Sequence, residues 1–265
     1  MAENIFNLQN AGFSYRAESL LFTDLNLSIE AGESICLLGA NGSGKSSLLK
    51  ILCALNYIEI GSFKAFGYEI SEKQMENDNF CKDYYRRVGF VFQNSDAQLF
   101  TTRVWDEIAF GPLQMDFPRK EIQNRVNDII KVLQIEHLAN RPPFRLSGGE
   151  KKKVALASIL VLNPEVIILD EPTAGLDPRS QNWLVDLLLQ LNSVGRTIIV
   201  ATHDLNLAHT LTKRTLLLSE EHKVVYDGDT QESLRNTDLL MKVNLIDQFT
   251  HIHEQFKHLH IYVHC

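Results

Sequence analysis

Apolar runs of two kinds punctuate this chain, and segments of helical period lie between them. Residues 5–15 and 24–29 alternate apolar with polar positions, as strands with one buried face do, and a turn at Glu30-Ala31-Gly32-Glu33 follows. They predict a small β-layer. Ile35-Cys36-Leu37-Leu38, Val88-Gly89-Phe90-Val91-Phe92, Val166-Ile167-Ile168-Leu169 and Thr197-Ile198-Ile199-Val200-Ala201 are continuously apolar, which predicts strands buried on both faces. Residues 61–67 alternate again and predict a strand pair, whereas the polar residues 71–83 predict a solvated loop or a short helix. Ile122, Val126, Ile129, Ile130 and Leu133 recur at helical spacing, so one helix presents an apolar stripe for packing. Pro118 is placed in its first turn, and Pro142-Pro143 ends the segment. This stretch, about 95–146, reads as a helical insertion. Trp183, Leu184, Leu187, Leu188 and Leu191 mark a later long helix after Asp177-Pro178.

The totals change this picture little. With 265 residues and 45% hydrophobic content there is ample core for one large domain or two modest ones. A formal charge of −7 argues against non-specific nucleic-acid binding, which needs a basic surface. Cys36, Cys53, Cys81 and Cys265 show no paired spacing, and Cys36 and Cys53 sit in apolar runs as small buried thiols. Met1-Ala2-Glu3-Asn4-Ile5 has no basic start, so no secretory signal is expected, and no run is long enough to span a bilayer.

Between the first buried strand and the next helix stands Gly39-Ala40-Asn41-Gly42-Ser43-Gly44-Lys45-Ser46-Ser47. Glycines let successive N–H groups face one concavity at a helix N-terminus, where an anion is favoured. Lys45 adds charge for β- and γ-phosphates, and the Ser46 hydroxyl suits Mg²⁺. A nucleoside triphosphate is therefore the expected ligand. Asp170-Glu171 ends a buried strand, where ligands bind in open parallel sheets; Asp170 suits Mg²⁺ and Glu171 suits a general base. Gln93 follows another such strand, either as a loop residue or as a reach toward Mg²⁺ and the attacking water. His203 follows a third, either structural or in contact with the γ-phosphate. Tyr15 reads locally as a core aromatic, with adenine stacking as the alternative. Leu146-Ser147-Gly148-Gly149-Glu150 has capping-box spacing, yet Lys151-Lys152-Lys153 then opposes the helix dipole. An anion docked at that helix start would relieve the conflict.

The order of phosphate loop, Gln93, Leu146-Ser147-Gly148-Gly149-Glu150, Asp170-Glu171, Asp177 and His203 resembles the nucleotide-binding domain of ATP-binding-cassette (ABC) proteins, up to about residue 230. The resemblance implies an α/β P-loop NTPase fold with an N-terminal antiparallel β-layer, a RecA-like mostly parallel sheet and the helical insertion. Residues 231–265 remain as a C-terminal extension. It also implies an ATPase with ATP and Mg²⁺, in which two domains pair head to tail. Tyr15 would then stack on adenine. Gly39, Asn41, Gly42, Ser43, Gly44, Lys45, Ser46 and Ser47 would bind ATP, and Ser46, Gln93 and Asp170 would hold Mg²⁺. Glu171, His203 and Gln93 would be catalytic. Ser147, Gly148, Gly149 and Glu150 would act on the partner's ATP, with Asp177 in an interface loop.

Val91-Phe92-Gln93-Asn94-Ser95-Asp96-Ala97-Gln98-Leu99-Phe100 and Glu107-Ile108-Ala109-Phe110-Gly111-Pro112 are similar to the energy-coupling-factor ATPases, which serve uptake of cobalt, nickel and vitamins in prokaryotes. Ser95 and Ala97 stand where that branch usually has proline and aspartate, and Glu150 replaces a commoner glutamine. The branch implies a second ATPase, identical or paralogous, transmembrane subunits, a substrate-capture subunit, and a peripheral place on the cytoplasmic side of the membrane. Residues 96–110 are the expected partner surface. Other ABC importers and soluble ABC ATPases are the alternatives. His251, His253, His258, His260 and His264 give the tail five of the nine histidines, either as one polar strand face or as a transition-metal site.

Overall fold

The computed structural model describes residues 4–15 and 20–246. The alternating segments form β1 (Asn4–Phe13) and β2 (Phe22–Glu30), an antiparallel pair whose inward positions include Phe6, Leu8, Phe22 and Ile29. The first continuous run is β3 (Ser34–Leu38), buried throughout, and it delivers the chain to α1 (Lys45–Leu52). The strand pair follows as β4 (Ile60–Ala65) and β5 (Tyr68–Glu69), which complete a four-stranded layer ordered β2-β1-β4-β5. Leu48, Leu49, Ile51 and Leu52 of α1 fill the space between this layer and the main sheet.

Residues 71–83 are mostly helical rather than loop. Ser71 caps α2 (Glu72–Met75) and Asn77 caps α3 (Asp78–Arg87), each through a side-chain oxygen accepting a backbone N–H. The short-helix alternative holds, and the two helices are anchored by buried Met75 and by Tyr84, whose hydroxyl donates to the Leu52 carbonyl at 2.6 Å. The chain then enters β6 (Val88–Val91) and passes through the insertion, α4 (Val104–Gln114) and α5 (Arg119–Val132). Pro118 is the residue before α5, with ψ 140, and not part of its first turn. Ile122, Val126 and Ile130 pack against Val104 and Ile108 of α4 and against Val154 and Ala157 of α6 (Gly148–Leu160). Each such fully buried side chain contributes about 1.5–3 kcal/mol. The helical layer therefore extends past 146 to include α6.

The remaining runs are β7 (Val166–Asp170), α7 (Pro178–Ser193), β8 (Thr197–Thr202), α8 (Leu205–Leu211), β9 (Arg214–Leu218) and β10 (Val224–Asp229). The main sheet has the order β10-β9-β3-β8-β7-β6, parallel except for β10. α9 (Thr230–Arg235) and α10 (Thr237–Lys242) follow β10. Leu240 and Val243 pack with Cys36 and Leu38 of β3, so the core is continuous into this segment. Among the described residues, no helix is long and apolar enough to cross a membrane.

Candidate functional site

The C-terminal ends of β3, β6, β7 and β8 open on one face of the sheet. At the first of them, Gly44 is the residue before α1 with φ 101, and no side chain caps that helix. Its first N–H groups therefore face the loop cavity unclaimed by a side chain. A Cβ on Gly44 would lie 2.9 Å from Phe22 Cζ, and one on Gly39 would lie 2.6 Å from the Leu218 carbonyl oxygen. Only glycine fits either place. Lys45 is buried; its Nζ donates to the carbonyls of Gly39 at 2.7 Å and Ala40 at 3.1 Å and lies 4.0 Å from Glu171 Oε1. Burial lowers its pKa, and the Glu171 and Asp170 carboxylates oppose that shift.

β7 ends at Asp170, where Oδ1 is buried and has no hydrogen-bond partner among the described residues. Burial pushes this carboxyl up, opposed by the Ser46 hydroxyl beside it. Glu171 then takes φ 40, a left-handed turn that a non-glycine residue adopts only when its surroundings impose it. They do so here: its N–H donates to Ala201 at 2.8 Å, Thr202 Oγ1 donates to Oε2 at 2.9 Å, and His203 Nδ1 lies 2.8 Å from Oε1. Thr202 has no motif of its own, and only its place at the end of β8 could have suggested it.

A cavity of about 380 Å³ gathers Tyr15, Asn41, Gly42, Gly44, Lys45, Ser46, Ser47, Gln93, Asp170, Glu171 and His203, together with Leu21, which no pattern singled out. Gly39 and Ser43 stand just behind, with Ser43 Oγ buried and unpartnered. The size suits a small-molecule site. Tyr15 is 58% exposed, so the local reading as a core residue fails. Its ring packs edge-on against Phe13, and its hydroxyl meets Ser47 Oγ at 3.0 Å and Asn56 Nδ2 at 3.2 Å. Gln93 is held through its backbone: Lys152, 2% exposed, donates to the carbonyls of Phe92 and Gln93 at 3.2 and 3.3 Å. Burial brings the Lys152 ammonium down to about 8.

Ser147, Gly148, Gly149, Glu150 and Asp177 are not among the residues lining this cavity. Ser147 and Glu150 form a complete capping box at the start of α6. Asp177 caps α7 through Ser180, and a Cβ on Gly149 would fall 2.5 Å from Ser180 Oγ, so the two turns touch. The lysines after the box do not require an anion to settle them. Lys151 pairs with Asp96 at 2.6 Å, Lys152 is buried on carbonyls, and Lys153 lies 4.7 Å over the Trp183 ring. The five tail histidines, His251, His253, His258, His260 and His264, fall outside the described residues. Within the described residues, no group of three His, Cys, Asp or Glu has metal-site geometry.

The family described as ABC transporter matches residues 22–174. Over 252 residues the chain is 46% identical to a putative ABC transporter ATP-binding protein of Methanosarcina acetivorans, covering 94% of this chain and 91% of the relative. It is 44% identical to the nickel import ATP-binding protein NikO of Rhodobacter capsulatus, over 92% of this chain and 96% of that protein. The structure of cbiO1 from Clostridium perfringens, described as part of the ABC transporter complex cbiONQ, matches with a TM-score of 0.79 at 32% identity. That match covers 97% of this chain and 100% of the other. With a phosphate-loop cavity at its strand ends and this breadth of likeness, the chain belongs to the ABC transporter family and is an ATP-binding, ATP-hydrolysing subunit.

Proposed function

We propose that this chain is the ATPase of an importer of the energy-coupling-factor type, serving uptake of nickel, cobalt or a vitamin. The carrying observation is that Lys45, Asp170, Glu171, Gln93 and His203 share one cavity while Ser147 lies outside it. Half a site of this kind is completed by a second ATPase, identical or paralogous, docked head to tail. Tyr15 stacks on adenine, and the loop from Gly39 to Ser47 with Lys45 holds the phosphates. Asp170 Oδ1, buried without a partner, fits a cation, and Ser46, Gln93 and Asp170 would hold Mg²⁺. When bound, Mg²⁺ neutralises charge on the β- and γ-phosphate oxygens.

Glu171 is the general base for the attacking water. Thr202 and His203 fix its two carboxylate oxygens, so the base is aimed before substrate arrives. His203 and Gln93 border the γ-phosphate end. Ser147, Gly148 and Gly149 of the second ATPase close over the phosphates, with Glu150 supporting Ser147 and Asp177 at the junction. Catalysis is positioning and charge stabilisation of the transferred phosphoryl group.

The importer reading is supported by the name of the nickel import protein that this chain resembles, and a membrane assembly by the ABC transporter complex cbiONQ to which the matching cbiO1 structure belongs. A docking surface for the membrane partner is supported by Phe100 and Phe110, exposed and stacked edge to face at 4.9 Å. Buried Glu107 accepts the N–H groups of Phe100 and Thr101 at 3.0 and 2.8 Å and so fixes this surface. The chain then works peripherally on the cytoplasmic side of a prokaryotic membrane. Detergent extraction of native membranes, followed by identification of copurifying chains, tests the assignment. Membrane-spanning subunits and a small substrate-capture subunit are expected; recovery with nucleic acid alone would favour a soluble ABC ATPase.

A further inference from the structure

A second cavity, of about 310 Å³, lies at the opposite ends of the parallel strands. Arg87 immediately precedes β6, Glu165 precedes β7 and Arg196 precedes β8, so three strand starts place these side chains together. Arg125 enters from α5 in the helical layer, and Arg86 from the last turn of α3. Four guanidinium groups thus face one space, with Glu165 as the single carboxylate in its wall among the described residues. That excess is local, because the chain as a whole carries −7.

The carboxylates nearby leave donors free. Glu165 is taken by Arg87 through two contacts, at 2.7 and 3.2 Å, and Phe66 stacks on that guanidinium at 3.5 Å. Arg125 bonds Glu121 at 2.8 Å and the Val161 carbonyl at 3.3 Å, and Arg86 bonds Asp83 at 3.1 Å. Among the described residues the Arg196 side chain makes one hydrogen bond, to Asn163 Oδ1 at 2.6 Å. Among the described residues no carboxylate lies within 4.0 Å of it. A guanidinium presents five N–H donors in a planar fork that matches phosphate oxygens. Arg87 and Arg125 are held in place by their own partners, so little freedom remains to be lost when an anion docks.

We infer that this arginine cavity is a binding site for a small phosphate-bearing anion, separate from the ATP cavity. Its walls come from both the sheet core and the helical layer, so an occupant ties the two together. A single phosphate would leave much of the space empty; a diphosphate or a phosphorylated small molecule fills it better.

Inorganic pyrophosphate titrated calorimetrically into the full chain, with the ATP cavity first saturated by ADP, tests this. One further equivalent should bind. Arg196→Gln should weaken that binding by about tenfold, the loss expected for a charge-assisted pair. Arg86→Gln, at an exposed position that the fold does not need, should weaken it by a smaller factor. Both variants should hydrolyse ATP at the wild-type rate without pyrophosphate. Heat that arises only from displaced ADP, or equal pyrophosphate affinity in all three proteins, would overturn the assignment.

Discussion

The phosphate-loop half and the signature half of this chain each begin at a helix N-terminus, and they treat its free N–H groups in opposite ways. At α1 the preceding residue is Gly44, which brings no side chain, and the donors face a cavity. Ser43 Oγ and Asp170 Oδ1 are left buried and unpartnered around it, at about 1–3 kcal/mol each by the usual scale. At α6 the chain serves itself. Glu150 Oε2 accepts both the Ser147 N–H at 2.8 Å and the Ser147 hydroxyl at 2.9 Å, and Ser147 Oγ accepts the Glu150 N–H at 3.4 Å. A cap of this kind is worth about 1 kcal/mol. One half therefore leaves buried polar groups unpartnered, while the other satisfies its own; in the proposed head-to-tail pair, the second would exchange an internal carboxylate for an external phosphate. On the proposed mechanism, substrate binding and closure of the pair would then be distinct steps.

The largest expected effect separates chemistry from binding. Glu171→Gln should keep ATP affinity and slow phosphate release by about 10²–10⁴-fold, the usual contribution of a general base. On gel filtration with ATP it should accumulate as a closed pair. Near-normal turnover would remove Glu171 from that role. Ser147→Arg attacks the other half: equilibrium ATP binding should persist while hydrolysis falls by about 10²-fold, as when one transition-state donor is lost. If ATP binding disappears as well, the two halves are not independent and the comparison breaks.

Glu150→Gln is a finer test, since glutamine can keep the cap without the charge. Removing a carboxylate from beside the incoming phosphates should raise turnover at limiting ATP by about two- to fivefold, within the range of exposed charge pairs. An unchanged rate would mean that Glu150 swings clear on closure. The smallest effect is on stability. Hydrogen bonds from the Ser147 backbone and then its hydroxyl hold the Glu150 carboxyl below its ordinary 4.5. The capping box thus stabilises the fold fully above about pH 4.5 and loses that stabilisation as pH falls through the lowered value. Thermal melts from pH 7 down to pH 3 should therefore show a shallower acid limb in Glu150→Gln than in the wild type.

Much of the first half was legible because its parts are contiguous. A buried run, six loop residues and a helix start make Gly39 to Ser47 readable without knowing where anything else lies. The Ser147–Glu150 box was readable for the same reason, since both bonds span three residues. The partners of the lysines that follow were not legible, because Asp96, the carbonyls of Phe92 and Gln93, and Trp183 come from distant stretches. Tyr15 failed as a core residue for a related reason. An aromatic after an alternating strand normally continues inward, and only the placement of Ser47 and Asn56 shows that it turns to the cavity rim.

By itself the sequence determined the elements with strong period, the phosphate loop, the strand-end carboxylates and the self-capped signature helix. All are local: they depend on backbone geometry and on neighbours within a few residues. The tertiary structure alone decided that Thr202 and His203 grip Glu171, that Lys152 holds the Gln93 backbone, and that arginines from three elements meet beneath the sheet. These contacts join stretches brought side by side by strand order, and side-chain distances across a sheet are set by packing, which spacing along the chain does not encode.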